Sequence, residues 1–312
     1  MSKILATGHY LPPQVLSNED LIQAWQLDSS DDWIQTRSGI QQRHFALEDQ
    51  SVGDLAVQAA LNLFDKLDSD LRGQVQLIIV ASMSSYAPTP GLANLVQAAL
   101  GLDQAQAFDL NTACSGFVTA LDTAVKLASF QASGYTLVIG AEKMSQILDP
   151  QDRSTCVLFG DGAGAVLLAN DGQVLTDYAS RLQSMASGQD SIQFDGRTYL
   201  EMAGRPVFNF VNRTVVGSLK AFIEGHHLED FDYLLCHQAN QRLLDIITRK
   251  LKLDPEQVPS NISQVANLSA ASLPVLMDQL LEARTLRLGS GQKVILAGYG
   301  GGLTWGEIAF TL

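Results

Sequence analysis

The chain has 312 residues, 46% of them hydrophobic and 17% charged, which excludes a disordered or fibrous protein and allows one large domain or two ordinary ones. Twenty Lys and Arg against thirty-three Asp and Glu give a net charge of −13, so the long-range field repels phosphate. Nucleic acid and anionic membranes are therefore not expected partners, and any anionic partner must meet a local basic patch.

Three scattered cysteines, Cys114, Cys156 and Cys236, make no disulfide framework and fit a reducing cytoplasm. No apolar run reaches the length of a membrane span, and the N-terminus does not read as a signal peptide.

In chain order, the pattern predicts helices over 52–67, 92–100 and 115–130, with strands over 76–82 (QLIIVAS) and 135–140 (YTLVIG). Strands over 156–159 and 165–168 follow. A helix over 207–224, a strand over 233–236, helices over 241–250 and 271–283 and a strand over 293–297 complete the set. Strands apolar throughout, alternating with helices, imply an α/β protein whose sheet is covered on both faces. An echo links the halves: DLNTACSGF, YTLVIGAE and FGDGAGAVLL against ISQVANLSAASLP, KVILAGYG and GGLTWGEIAFTL. Each trio is a small-residue turn into a helix, an apolar strand, then a Gly-rich turn into a last strand. Two similar half-domains sharing one core are expected.

Cys114, in Asn-Thr-Ala-Cys-Ser-Gly, falls where a strand ends and the 115–130 helix starts. The macrodipole and free N–H groups at a helix start favour the thiolate, and small neighbours admit a substrate. Cys156, among apolar residues, reads as structural. His237 follows the strand Tyr-Leu-Leu-Cys, at the end of a strand where α/β proteins place their sites, although position alone also fits a capped structural histidine. Asn267 precedes a helix, as an ordinary N-cap also would. The Gly300–Gly302 turn offers backbone N–H groups free of Cβ atoms.

Other patterns fail on context. The 160–165 glycines match a loose dinucleotide fingerprint but lead into a strand rather than a helix. No G-x-S-x-G elbow surrounds Ser115. Glu224, His226, His227 and Glu229 read as a solvated helix end, so no metal site is expected. Arg242, Arg249, Lys250 and Lys252 stand against Asp245 alone, beside His237. They read either as a solvated face or as a docking surface for an acidic partner.

Taken together these residues resemble the β-ketoacyl-acyl carrier protein synthase III family of the thiolase fold. The resemblance runs nearly end to end, through ATGHYLPPQVLSNEDL, DDWIQTRSGIQQRH, DLNTACSGF, LDPQDRSTCVLFGDGAGAVLL, HQANQRL, ANLSAAS and GYGGGLTWG. It implies a five-layer α-β-α-β-α thiolase-like fold of two duplicated halves, 1–172 with the nucleophile and 173–312 with the His and Asn, acting as a homodimer. It implies that Cys114 takes an acyl group from acyl-CoA as a thioester. Malonyl-acyl carrier protein then loses carbon dioxide, and His237 and Asn267 donate to the enolate oxygen. The backbone N–H groups of Cys114 and Gly301 hold the oxyanion that forms when the carbanion attacks. The product is a 3-oxoacyl-carrier protein that begins a fatty-acid chain, with no metal or redox cofactor.

By the same resemblance Trp33, Arg37, Arg153 and Asn240 contact CoA. Gln238, Ala239, Asn240, Gln241 and Arg242 contact the carrier, and Arg249 and Lys250 extend that surface. Thr89, in the 86–90 segment, gates the acyl pocket from the partner subunit. A side chain smaller than an aromatic at that position implies longer or branched primers.

The sequence departs from the family pattern in Ala266 for Gly, Leu268 for Thr, and Asn209 at a position that is often basic. These departures keep two other readings open: a secondary-metabolism relative with another primer or extender, and a non-catalytic carrier-binding scaffold. A hydroxymethylglutaryl-CoA synthase-like enzyme needs an acidic base, and no Glu lies near Cys114 or the His237 segment in sequence.

Overall fold

A computed structural model of the chain describes residues 3–85, 89–128, 130, 133–170 and 175–312. The first half carries β1 (Lys3–Tyr10), β2 (Gln14–Ser17), β3 (Gln42–Phe45), β4 (Val75–Ala81), β5 (Gln106–Leu110), β6 (Tyr135–Lys143) and β7 (Asp161–Ala169). The second carries β8 (Ala179–Ser184), β9 (Ile192–Gln193), β10 (Glu201–Met202), β11 (Tyr233–Cys236), β12 (Lys293–Gly300) and β13 (Thr304–Thr311).

One main sheet has the order β1-β7-β6-β4-β5 and the other β11-β12-β13-β8. In the first, β4 is parallel to β6, and β7 is antiparallel to both β6 and β1. In the second, β11 is parallel to β12, and β13 is antiparallel to both β12 and β8. The pairing repeats in the order the sequence trios anticipate. The expected boundary between 172 and 173 lies outside the described residues.

The period of two along β4 explains the layering. Leu77, Ile79 and Ala81 face one way, against α5 (Gly116–Ala128) and α10 (Ser272–Glu282). Those two helices pack on their far side against Leu235, Val294, Leu296, Ile308 and Phe310 of the second sheet. Ile78 and Val80 face the other way, against α3 (Val52–Asp65) and α4 (Leu92–Leu100). The outer face of the second sheet, with Leu234 and Ile295, is covered by α7 (Val216–Gly225) and α8 (Gln241–Leu251). Five layers result, α-β-α-β-α.

Two expectations need correction. The 156–159 strand is instead a tight turn, Cys156–Leu158, because the N–H groups of Thr155 and Cys156 donate back to Asp152 O at 3.1 and 2.9 Å. Its apolar residues bury against Ile34, Ile40, Phe45 and Met144, outside either main sheet. The 207–224 helix is α6 (Gly204–Phe210) and α7 joined by a π turn, Val211–Val215. Lys250 Nζ donates to Asn212 O of that turn at 2.9 Å, drawing it against α8.

Candidate active site

The turn Ala113–Ser115 follows β5 and runs straight into α5, so Cys114 stands at a helix start as the spacing anticipated. Ala113 is left-handed (φ 48°), and its N–H donates to Asn111 Oδ1 at 3.0 Å. The turn after β12 closes on it from the other half. A β-carbon on Gly300 would lie 2.8 Å from both Cys114 Cβ and Cys114 N, so only glycine permits this approach. Thr304 Oγ1 pins the two turns together, at 2.8 Å from Ser115 Oγ, 2.9 Å from Gly301 O and 3.1 Å from Thr112 O.

The electrostatics at Cys114 differ from the helix-start expectation. Burial pushes the thiol up to about 12; the Ser269 hydroxyl opposes the shift and the Glu142 carboxylate adds to it. Burial therefore favours the thiol as the resting form. Burial also pushes Cys156 and Cys236 up to about 12, so basicity does not single out the nucleophile. What does is access: of the three, only Cys114 lines the cavity described below.

His237 extends β11 by one residue. Its N–H donates to Ala297 O at 2.8 Å, and its carbonyl accepts from Tyr299 Oη at 3.0 Å. Burial lowers the imidazole to about 3, so the ring is neutral at neutral pH and has an N–H to donate. Its Nδ1 is buried without a hydrogen-bond partner.

Asn267 follows Ala266, whose φ of 61° and ψ of −163° turn the chain sharply. The Asn267 backbone bonds to Leu158 O and Gly160 N, both at 3.0 Å, which fixes it beside the 156–158 turn. Asn267 Oδ1 accepts from Ser269 N at 2.8 Å, leaving the amide nitrogen as the group free to donate.

Cys114, His237, Asn267 and Gly300 line one cavity of about 330 Å³ with Trp33, Arg37, Ala239, Asn240 and Arg242. The Arg37 guanidinium lies 4.6 Å and that of Arg153 5.1 Å from the Trp33 ring centroid. Asn240 caps α8 through Arg242 N at 2.9 Å and donates to Arg37 O at 2.9 Å, tying this mouth to the helix. Gly301 is buried, within reach of Ala113.

The expected carrier surface is borne by exposed Arg242, Arg249 and Lys250, with Gln241 half-buried. Gln238 is not part of it. Its fully buried amide donates to Cys236 O at 2.9 Å and accepts from Ser260 Oγ at 2.9 Å, an internal cross-link out of a partner's reach. Arg205, next to the cavity-lining Gly204, and Arg213, on the turn that Lys250 holds, are exposed cations that the sequence pattern did not single out. Thr89 is exposed and outside this chain's cavity, and residues 86–88 before it lie outside the described residues.

One charged residue near the site escaped the sequence reading. Glu142, at the end of β6 and remote in sequence, is fully buried against Cys114 and Ser269. An acid just past the apolar run of β6, followed by Lys143, was the available signal. It is not among the residues that line the cavity. Glu224, His226, His227 and Glu229 are exposed, as expected of a solvated helix end. His9, Asp278 and Glu282 also converge, but the Lys66 ammonium sits 2.8 Å from both carboxylates and makes the group an ion-pair cluster.

Comparison with known proteins agrees with this architecture. Residues 108–189 match the family described as 3-oxoacyl-[acyl-carrier-protein (ACP)] synthase III, and residues 223–312 match its C-terminal counterpart. The β-ketoacyl-[acyl-carrier-protein] synthase III of Streptococcus gordonii is 42% identical over 326 aligned positions, covering 100% of this chain and 99% of that one. The crystal structure of 3-oxoacyl-[acyl-carrier-protein] synthase III from Aquifex aeolicus superposes with a TM-score of 0.93 at 36% identity, covering 100% of both chains. The priming β-ketosynthase of the R1128 polyketide pathway superposes at 0.92 with 28% identity, covering 100% of this chain and 96% of that one. The chain thus belongs to the β-ketoacyl-acyl carrier protein synthase III family, acyltransferases that initiate fatty-acid synthesis.

Proposed function

We propose that the chain transfers an acyl group from acyl-CoA to Cys114 and condenses it, with loss of carbon dioxide, with malonyl-acyl carrier protein to give a 3-oxoacyl-carrier protein. The observation that carries this reading is the convergence of Cys114, His237 and Asn267, from three distant segments, on one cavity whose mouth holds Trp33 and Arg37. Cys114 is the nucleophile. Neutral His237 and the Asn267 amide donate to the enolate oxygen, and the N–H groups of Cys114 and Gly301 hold the oxyanion. The reaction balances without a metal or redox cofactor.

Trp33 with Arg37 and Arg153 offers CoA a stacking face and two cations for its phosphates, and Asn240 lies on the route inward. Arg242, Arg249 and Lys250, with Ala239 and Gln241 beside them, face an acidic carrier. A homodimer is supported by β5, which ends its sheet with unpaired backbone and half-buried Phe108 and Leu110. It would bring Thr89 to a second chain's pocket. Three unpaired cysteines support a cytoplasmic location, and among the described residues no helix is long and apolar enough to cross a membrane.

The test is the intact mass of the protein after incubation with a chain-length series of acyl-CoAs, alongside Cys114→Ser. An acyl-mass adduct on the wild type alone establishes the nucleophile, and the chain lengths accepted give the primer class. An adduct with acetyl-CoA only would remove the role given to Thr89. No adduct with any primer would overturn acyl-CoA priming and leave a carrier-loaded donor or a carrier-binding scaffold.

A further inference from the structure

Next to the nucleophile, among residues that do not line the cavity, lies a buried polar arrangement. Glu142 is fully buried, and five donors converge on its carboxylate. Ser84 Oγ at 2.5 Å, Ser84 N at 3.0 Å and Ser82 Oγ at 3.2 Å reach Oε2. Met83 N is shared, 3.2 Å from both carboxylate oxygens, and Ala270 N at 3.3 Å reaches Oε1. Burial raises the proton affinity of the Glu142 carboxyl, and these donors oppose that shift by favouring the carboxylate, so a proton acceptor stands here. Ser269 Oγ faces both this carboxylate and the Cys114 thiol, and it is buried with no hydrogen bond of standard geometry. An orphaned hydroxyl between a thiol and a carboxylate requires an explanation.

We propose that Ser269 and Glu142 form a proton relay for Cys114. As Cys114 Sγ bonds to the acyl carbon, its proton passes to Ser269 Oγ and the Ser269 hydroxyl proton passes to Glu142 Oε1. The C–S bond to CoA breaks, and the CoA thiolate leaves with the electron pair and takes a proton from water. Glu142 holds its proton for the life of the acyl-enzyme. When the enolate carbon attacks the acyl group, the C–S bond to Cys114 breaks and the electron pair returns to sulfur. The proton then travels back through Ser269 and restores the resting thiol. Neither Ser269 nor Glu142 lines the cavity, so substrate filling it leaves both in place.

The proposal rests on Cys114 as the acylated residue, which the mass adduct tests separately. Infrared difference spectra of the wild type, acylated minus free, test the relay. They should show the C=O band of a newly protonated carboxylic acid, sensitive to D₂O and absent in Glu142→Gln. Stopped-flow loading by acyl-CoA should slow about 100-fold in Ser269→Ala, the scale of a lost acid–base group, and more than malonyl decarboxylation, which needs no thiol proton. Ser269→Ala removes one buried hydroxyl and guards against a Glu142→Gln that does not fold. A wild-type adduct with no acid band, wild-type loading by Ser269→Ala, or equal losses in both half-reactions would each overturn the relay.

Discussion

The Tyr299 hydroxyl donates to the His237 carbonyl at 3.0 Å, while its ring meets the imidazole edge-on with centroids 5.3 Å apart. Tyr299 belongs to β12 and His237 to the end of β11, so this pair fixes the histidine to the neighbouring strand. Tyr299→Phe keeps the ring and removes one net hydrogen bond, worth about 1 kcal/mol. We expect that loss in urea unfolding, and a decarboxylation kcat lowered by at most about fivefold if the whole of it is felt in the transition state. Tyr299→Leu should lower kcat further, because the ring contact goes as well. Carbon dioxide release from malonyl-carrier protein measures both.

The site was legible where chemistry is local. Cys114 at a strand-to-helix turn, His237 after an apolar strand and the Gly300–Gly302 turn each announce themselves within a few residues. The layering was legible too, since alternation along β4 assigns its two faces. What stayed hidden depends on burial and long-range packing. Glu142 meets Cys114 only when β6 and α5 pack together; burial pushes the Cys114 thiol up, and that carboxylate adds to the shift. Gln238 reads as a surface amide beside Arg242 until Ser260 is brought against it. The 156–159 run has strand composition, yet Asp152 captures its amides first. The thin edge strand β8, ASRLQS, carries no apolar run to announce it.

His237 predicts acid sensitivity with a definite sign. Its folded value of about 3 lies below the ordinary 6.5. Between those values the unfolded chain therefore binds a proton that the folded one does not. The contribution is fully present above pH 6.5 and is lost as pH falls toward 3, at about 1.4 kcal/mol per unit. From pH 6.5 to 5 the wild type should lose about 2 kcal/mol more than His237→Gln in urea unfolding. Equal slopes for the two proteins would mean that the imidazole is solvated and charged.

Ala266 predicts a stabilising substitution. At φ 61° and ψ −163° it occupies a region that is essentially restricted to glycine, and it is wholly buried beside Asn267. Strain of this kind costs up to about 3 kcal/mol. Against its relief, Ala266→Gly gives up about 0.8 kcal/mol for a buried methyl and 0.5–1 kcal/mol of backbone entropy. The net expectation is a gain of about 1 kcal/mol in denaturant midpoint analysis. The same change frees the loop that aims the Asn267 amide, so decarboxylation should slow while Cys114 still loads. A destabilised Ala266→Gly would show that neighbouring contacts have already absorbed the strain.

The basic mouth predicts a partner effect that separates from chemistry. Arg249 is exposed on the last turn of α8, and Lys250 beside it is anchored on Asn212 O. Against a net charge of −13, an acidic carrier is repelled by most of the surface, so these few cations decide where it lands. Arg249→Glu turns one attraction into a repulsion, and the KM for malonyl-carrier protein should rise about tenfold with little change in kcat. The difference from wild type should shrink as salt is raised, because screening shortens the reach of exposed charges. Asn209→Lys places a new cation on the exposed side of α6, close to the same mouth, and should lower the KM. An unaltered KM in both variants would move the carrier to another face of the molecule.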